Sequence, residues 1–213
     1  APLSRFLGTV AVAKYGLFSW FESPTLPDHG VIIFALADDS RFGALQSSIH
    51  RAWSLEQGTQ LEDRPRYTPT TCFETFPFPS PVGSVAEAIG AAAKELDELR
   101  RAWLNPPEWV KEEVLEFPGS VDGPWKRFVH EPDAGGIGTV RWPRIVARDA
   151  EAAKKLAKRT LTNLYNERPA WLDLAHKKLD QAVFAVYGWP SDLTDEQILE
   201  KLLALNLERA AAE

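Results

Sequence analysis

Four histidines, one cysteine and two adjacent serines are the side chains of this sequence best suited to metal or nucleophilic chemistry. His29, His50, His130 and His176 never fall at the short spacings with which a helix or hairpin presents two ligands to one metal. His50 lies in a helical stretch and His176 stands four residues before Asp180, so each reads more simply as a packed or surface residue. Ser47 and Ser48 lack the glycines that flank a nucleophile elbow. The "GGIG" at 135–138 has the spacing of neither a dinucleotide loop nor a phosphate loop and reads as a turn. Cys72, the single cysteine, excludes an internal disulfide and a cysteine-built zinc site. No catalytic constellation is legible, and the chain is expected to be non-catalytic by itself.

One motif needs separate weighing. Asn-Pro-Pro followed by an aromatic is how amino-directed DNA methyltransferases hold a target amine and stack on a flipped base. In "NPPE" (105–108) Glu108 stands at the aromatic position, and no strand with a glycine loop lies upstream to hold a methyl donor. A helix stop is the plainer reading. Residues 148–178 carry eight Lys/Arg against four Asp/Glu. Within them Lys154, Lys155, Lys158 and Arg159 suit one helix face that meets phosphates, or equally a solvated face. The eight tryptophans read as core, since Trp53, Trp103 and Trp171 occupy apolar positions of expected helices.

The elements that must position these residues fall into two groups. Residues 5–21 are β-branched, aromatic and partly alternating, which predicts one or two strands, and "VIIFALA" (31–37) predicts a buried strand. Asp38, Asp39 and Ser40 offer caps for a helix in which Phe42, Leu45, Ile49, Ala52 and Trp53 recur at steps of three and four, ending near Gly58. "RPRYTPTTCFETFPFP" (64–79) is pinned by prolines, with "TTCFETF" expected as a strand. Beyond Pro81 the pattern is helical: a helix over 84–104 opened by a Ser84/Glu87 capping box, then helices over about 149–165, from Pro169 to Gly188, and after a Thr194/Gln197 box. Residues 110–148 hold five of the thirteen glycines and read as an irregular insertion, with a strand at "GTVRW". The expected fold class is α+β, predominantly α: a small mixed α/β piece over 1–80, then an antiparallel helical domain over 81–213.

Composition bounds the function. The chain of 213 residues is 45% hydrophobic, enough for a real core, and has no apolar run long enough to span a membrane. It contains no methionine, which suggests a piece of a longer or processed protein. The absence of a signal-like start and the lone cysteine point to a cytoplasmic protein. The net charge is −6, with −2 over residues 1–80 and −4 over the rest, so the chain is not expected to be the main holder of phosphates on a nucleic acid.

Three blocks carry a family resemblance: "VIIFALADDSRFGALQSSIHRAW", "RPRYTPTTCFETFPFP" and "LTNLYNERPAWLDLAHKKLDQAVFAVYGWPSDLTDEQILEKLLALNLERA". In this order they resemble the C-terminal end of the large MmeI-like DNA methyltransferases and fused restriction–modification enzymes. The likeness covers nearly the whole chain and is weakest at 110–148. It implies that residues 1–80 end a DNA target recognition domain and that 81–213 form the C-terminal helical domain. It implies an upstream adenine-N6 methyltransferase domain that uses S-adenosylmethionine, and double-stranded DNA as partner of the full-length protein. No cofactor is expected in this part of it. On that reading the proline-pinned stretch leaves the recognition domain, with Phe73, Phe76 and Phe78 anchoring it. Arg41, Arg64 and Arg66 flank the entry to the recognition domain, and with Tyr67, Thr68 and Thr70 they supply donors for phosphates or base edges. The alternative is a non-catalytic module that docks other subunits of a defence complex, which the acidic balance suits better.

Overall fold

Partly alternating apolar residues near the start of the chain give β1 (Arg5–Val10) and β2 (Phe18–Glu22), and the apolar run after them gives β3 (Val31–Phe34), shorter than expected and with only Phe34 buried, in an antiparallel sheet of order β2-β1-β3. The register sets Leu7 opposite both Trp20 and Phe34, and Thr9 opposite Phe18. Alternation sends these side chains to one face, and all five are buried. Thr9 donates its hydroxyl to the Leu17 carbonyl at 2.9 Å, so the one polar member is satisfied. On the opposite face Phe6 stacks on Phe21 at 5.6 Å, beside Val10 and Ile33, which are 51% and 58% exposed. This computed structural model describes residues 3–61, 64–80 and 83–212.

The apolar stripe from Phe42 to Trp53 is buried at every expected position. It lies on two helices, however, α1 (Asp39–Gln46) and α2 (Ser48–Gln57), rather than one. Asp38 caps α1 by accepting the Arg41 amide N–H at 2.8 Å. Ser47 causes the break: its hydroxyl donates to the Ala44 carbonyl at 2.7 Å and accepts the His50 amide N–H at 3.3 Å, so it ends one helix and caps the next. A Cβ at Gly43 would lie 2.5 Å from Ile89 Cγ2 and 3.1 Å from Ala93 Cβ, so only glycine lets α1 approach the helix of residues 84–104 so closely.

Past Gly58 the chain forms β4 (Thr59–Leu61) and β5 (Arg64–Arg66), paired antiparallel. The strand expected at 70–76 is absent; residues Pro69–Phe73 form one turn of π-helix instead. Pro69 has the fixed φ that suits a helix start, and the Thr68 carbonyl accepts the amides of Thr71 and Cys72 at 3.1 and 2.7 Å. The phenylalanines anchor as expected. Phe73 packs on Phe34 at 4.7 Å, Phe78 on Phe73 at 5.2 Å, and Phe76 on His50 at 4.5 Å between ring centres.

Next comes α3 (Ser84–Leu104), burying Ile89, Ala92, Ala93 and Leu96. The Glu87 amide donates to the Gly83 carbonyl, which makes Gly83 the cap position and Ser84 the first helical residue, so the expected capping box is displaced. The helix stop at "NPP" holds: α3 ends at Leu104. The chain divides into two compact units, residues 1–99 with 165–213, and residues 100–164.

The second unit corrects the expectation of irregular structure. β6 (Val110–Ser120) and β8 (Ile137–Ala147) pair over their full eleven residues, with β7 (Val129–His130) beside β8. Its glycines are strand glycines as much as loop ones: a Cβ at Gly138 would lie 2.4 Å from the His130 carbonyl oxygen. Trp142 meets Trp125 at 5.0 Å and Phe128 at 4.8 Å over a fully buried Val140. The helix expected over 149–165 is split into α4 (Ala150–Leu156) and α5 (Leu161–Glu167). Thr160 accounts for the restart, its hydroxyl accepting the Asn163 amide N–H at 3.1 Å.

Two long helices close the first unit, α6 (Ala170–Tyr187) and α7 (Asp195–Ala212). α6 buries Leu172, Ala175, Leu179, Val183 and Phe184 and ends at Gly188 in the left-handed region. The Thr194/Gln197 box forms as expected, with reciprocal bonds of 3.0 and 3.3 Å. Together these helices clasp the proline-rich segment. Tyr187 Oη donates to the Pro77 carbonyl at 2.9 Å, Asn206 Nδ2 to Thr75 at 2.8 Å and Arg209 to Phe78 at 3.0 Å. The fold is α+β.

Candidate nucleic-acid interface

β5 holds Arg64 and Arg66 two positions apart, so both side chains leave the same face of the ribbon, and both are exposed. The ribbon is fixed from behind: the Tyr67 amide donates to the Ala11 carbonyl at 2.9 Å, and Val12 bridges to Arg66. Thr70 is exposed on the π-turn that follows, and Thr68 is half-buried, its amide N–H directed at Cys72 Sγ. Arg41 is exposed in the first turn of α1, its guanidinium 5.2 Å from the centre of the Phe78 ring. A planar cation seated on an aromatic face keeps its edge donors available.

Tyr67 departs from the expectation that it offers a donor at the surface. It is 8% exposed, and its hydroxyl lies 3.0 Å from His50 Nε2. Its ring makes edge contacts with Phe18 and Phe34. Burial and the nearby Cys72 push its hydroxyl pKa far up, so it stays neutral. Burial holds the pKa of His50 down at about 3, so this imidazole too is neutral across the physiological range. The pair is a polar staple inside an aromatic core. No sequence spacing could have linked residues 50 and 67; the antiparallel pairing of β4 with β5 returns the chain so that they meet.

The second basic group lies in the other unit and is not one helix face. Lys154 and Lys155 occupy the last turn of α4, while Lys158 and Arg159 follow it in the link to α5. Lys155 pairs with Glu151 at 2.8 Å. The Arg159 guanidinium lies 4.3 Å from the Trp103 ring and 5.1 Å from the Trp109 ring, so two indoles cover its surface. Lys154 and Lys158 are exposed with no ion pair among the described residues. Cations at the end of a helix also balance its dipole, which is a structural role for this group. On the neighbouring hairpin the charges cancel in place, Arg144 on Glu113 at 2.6 Å and Arg141 on Glu116 at 2.9 Å.

Among the described residues no three His, Cys, Asp or Glu side chains gather as a metal site, and no helix is long and apolar enough to cross a membrane. The basic ribbon, its proline-pinned exit and the sheet behind it are the part with a counterpart among known families. Residues 12–80 match the family model of the MmeI target recognition domain. The MmeI match therefore takes in β2, β3, α1, α2 and the β4–β5 ribbon. Among solved structures, the type IIL restriction-modification enzyme MmeI in complex with DNA superposes with a TM-score of 0.65 at 19% identity. That alignment covers 98% of this chain and 22% of the MmeI chain, so the chain spans about a fifth of MmeI's length. At this identity the likeness is one of fold. No curated protein matches the chain.

Proposed function

We propose that this chain is the DNA recognition and support region of an adenine-specific DNA methyltransferase of the restriction–modification or phage-defence kind. Catalysis and S-adenosylmethionine binding belong, on this reading, to an upstream domain, the partner is double-stranded DNA, and the setting is cytoplasmic. The observation that carries it is the match of residues 12–80 to the MmeI target recognition domain. Arg64, Arg66 and Thr70 on the ribbon and turn, with Arg41 on α1, are the contacts proposed, and Tyr67 supports them from the core. Lys154 and Lys158 are proposed as phosphate contacts.

The test replaces Arg41, Arg64 and Arg66 singly by Ala in the full-length protein and measures affinity against salt on cognate and scrambled duplexes. Loss of a phosphate contact should flatten the salt dependence by about one unit of slope on both duplexes. Loss of a guanine-reading arginine should cost about 1–3 kcal/mol on the cognate duplex alone. Three variants indistinguishable from wild type would sink this reading. A second reading, a module that docks another protein, is favoured by the apolar face on which Val10 and Ile33 are exposed beside the half-buried Phe6 and Phe21. In either case calorimetry of the 213-residue chain with S-adenosylmethionine is expected to give no stoichiometric binding.

A further inference from the structure

A cavity of about 430 Å³ opens in the first unit, walled by the turn between β1 and β2, by α2 and by α6. Its floor and its rim differ in charge. At the floor, Asp180 accepts the Ser48 amide N–H at 2.8 Å, and its carboxyl is pushed up by burial while Ser48, Arg51 and Arg168 draw it down. His176 Nε2 lies 2.7 Å from Tyr165 Oη beside it. At the rim stand Lys14, Arg51 and Arg168. Lys14 Nζ donates to the neutral Asn166 Oδ1 at 2.6 Å and has no ion pair among the described residues. Arg51 spends one terminal nitrogen on Asp195, and Arg168 spends Nε on Asp173. Arg168 is held at φ +44°, a strained conformation for a side-chain-bearing residue, which the junction of α5 and α6 imposes. The rings of Tyr15 and Tyr165, 5.6 Å apart between centres, supply aromatic wall.

These features restrict the ligand. A bare anion would suit the rim but face the Asp180 carboxyl, and a bare cation would suit the floor but be repelled at the mouth. The complement is a two-ended molecule, with an anionic group for the rim and an amino or hydroxyl donor for the floor. A volume of about 430 Å³ is within the range of small-ligand sites. We propose that this cavity binds one nucleotide unit, its phosphate on Lys14, Arg51 and Arg168 and a base or sugar donor on Asp180. The unit comes either from a free mononucleotide or from an unpaired nucleotide of a DNA strand. The proposal goes beyond the duplex-recognition reading and does not need it.

Calorimetry on the 213-residue chain tests it, with the four 5′-deoxymononucleotides, their nucleosides, inorganic phosphate and 5′-phosphorylated single-stranded oligonucleotides as probes. At least one nucleotide or oligonucleotide should bind with unit stoichiometry, and its nucleoside and inorganic phosphate each roughly tenfold or more weaker. Lys14→Ala and Arg51→Ala, both exposed and neither in the core, should each weaken binding by roughly tenfold at unchanged melting temperature. Binding of free nucleotides assigns the small molecule as source, and binding of oligonucleotides alone assigns the strand. The proposal is overturned if no probe binds, if inorganic phosphate binds as tightly as any nucleotide, or if both variants bind as wild type. Duplex affinity of the same samples reports separately on DNA recognition.

Discussion

The two units differ in charge and in size of core: among the buried apolar residues only Val140, Ala152 and Leu164 belong to residues 100–164. Residues 1–99 and 165–213 carry twelve Lys/Arg against twenty-one Asp/Glu, a net of −9, while residues 100–164 carry twelve against nine, a net of +3. The segment that matches a target recognition domain therefore sits in the acidic unit. An acidic body repels a polyanion at range, so any contact it makes rests on a few exposed arginines. The basic unit has the opposite endowment, general attraction without a family signature. The units also differ in how they are held. The first packs aromatic rings around a neutral His50–Tyr67 pair. The second stands on a long hairpin and a small tryptophan cluster.

The largest way to separate the units is acid. His50 has a folded pKa of about 3 against an unfolded value near 6.5, so between those values the unfolded chain binds the extra proton. Stability of the first unit should thus be full above pH 6.5 and fall through that window, by on the order of 4 kcal/mol at its foot. Asp180, whose carboxyl is raised, works weakly in the opposite sense. Denaturant titrations of wild type and His50→Gln between pH 4 and 7 would read this, and an unchanged pH slope in the variant would break the assignment. Next in size is Trp142→Ala, expected to destabilise residues 100–164 by about 3 kcal/mol. Hydrogen exchange should then accelerate in β6 and β8 while α2 and α6 stay protected; acceleration everywhere would mean the units unfold as one. Gly43→Ala should cost the first unit about 1–3 kcal/mol through the clash with Ile89, seen as a lowered denaturation midpoint. The smallest effect belongs to Lys154→Ala with Lys158→Ala, expected to reduce the salt slope of DNA binding by up to about 2 and to leave cognate preference untouched. Limited proteolysis should cut first at the exposed turn of residues 131–136, in the basic unit.

What could be read in advance follows the range over which each feature is encoded. The strands β1 to β3, the buried stripe from Phe42 to Trp53 and the Thr194/Gln197 cap depend on residues within a few positions of one another, and periodicity reveals them. The π-turn at Pro69–Phe73 was hidden because alternating Thr and Phe suit a strand equally well, and the choice is made by the Thr68 carbonyl. The strand expected at "GTVRW" lies inside β8, but its partner β6 was hidden because Gly119 looks like a loop residue, while its bare backbone serves close strand contact. Among the proposed contacts, Arg64 and Arg66 kept their exposure and Tyr67 did not, since an aromatic beside arginines reads alike whether it faces solvent or His50. The cavity assembles residues near 14, 51 and 176, a separation over which no pattern operates.

The clasp on the proline-rich segment has a consequence for how this protein can change. Its three acceptors are the backbone carbonyls of Thr75, Pro77 and Phe78, a group every amino acid carries, whereas its donors are the side chains of Tyr187, Asn206 and Arg209. Tolerance is therefore lopsided. The grip itself asks nothing of the side chains of the held segment, where Phe76 and Pro77 are constrained by burial instead, whereas the holding helices must keep theirs. A segment mounted so keeps its hydrogen bonds through changes at exposed positions such as Thr75, while the mounting on the helices stays constant.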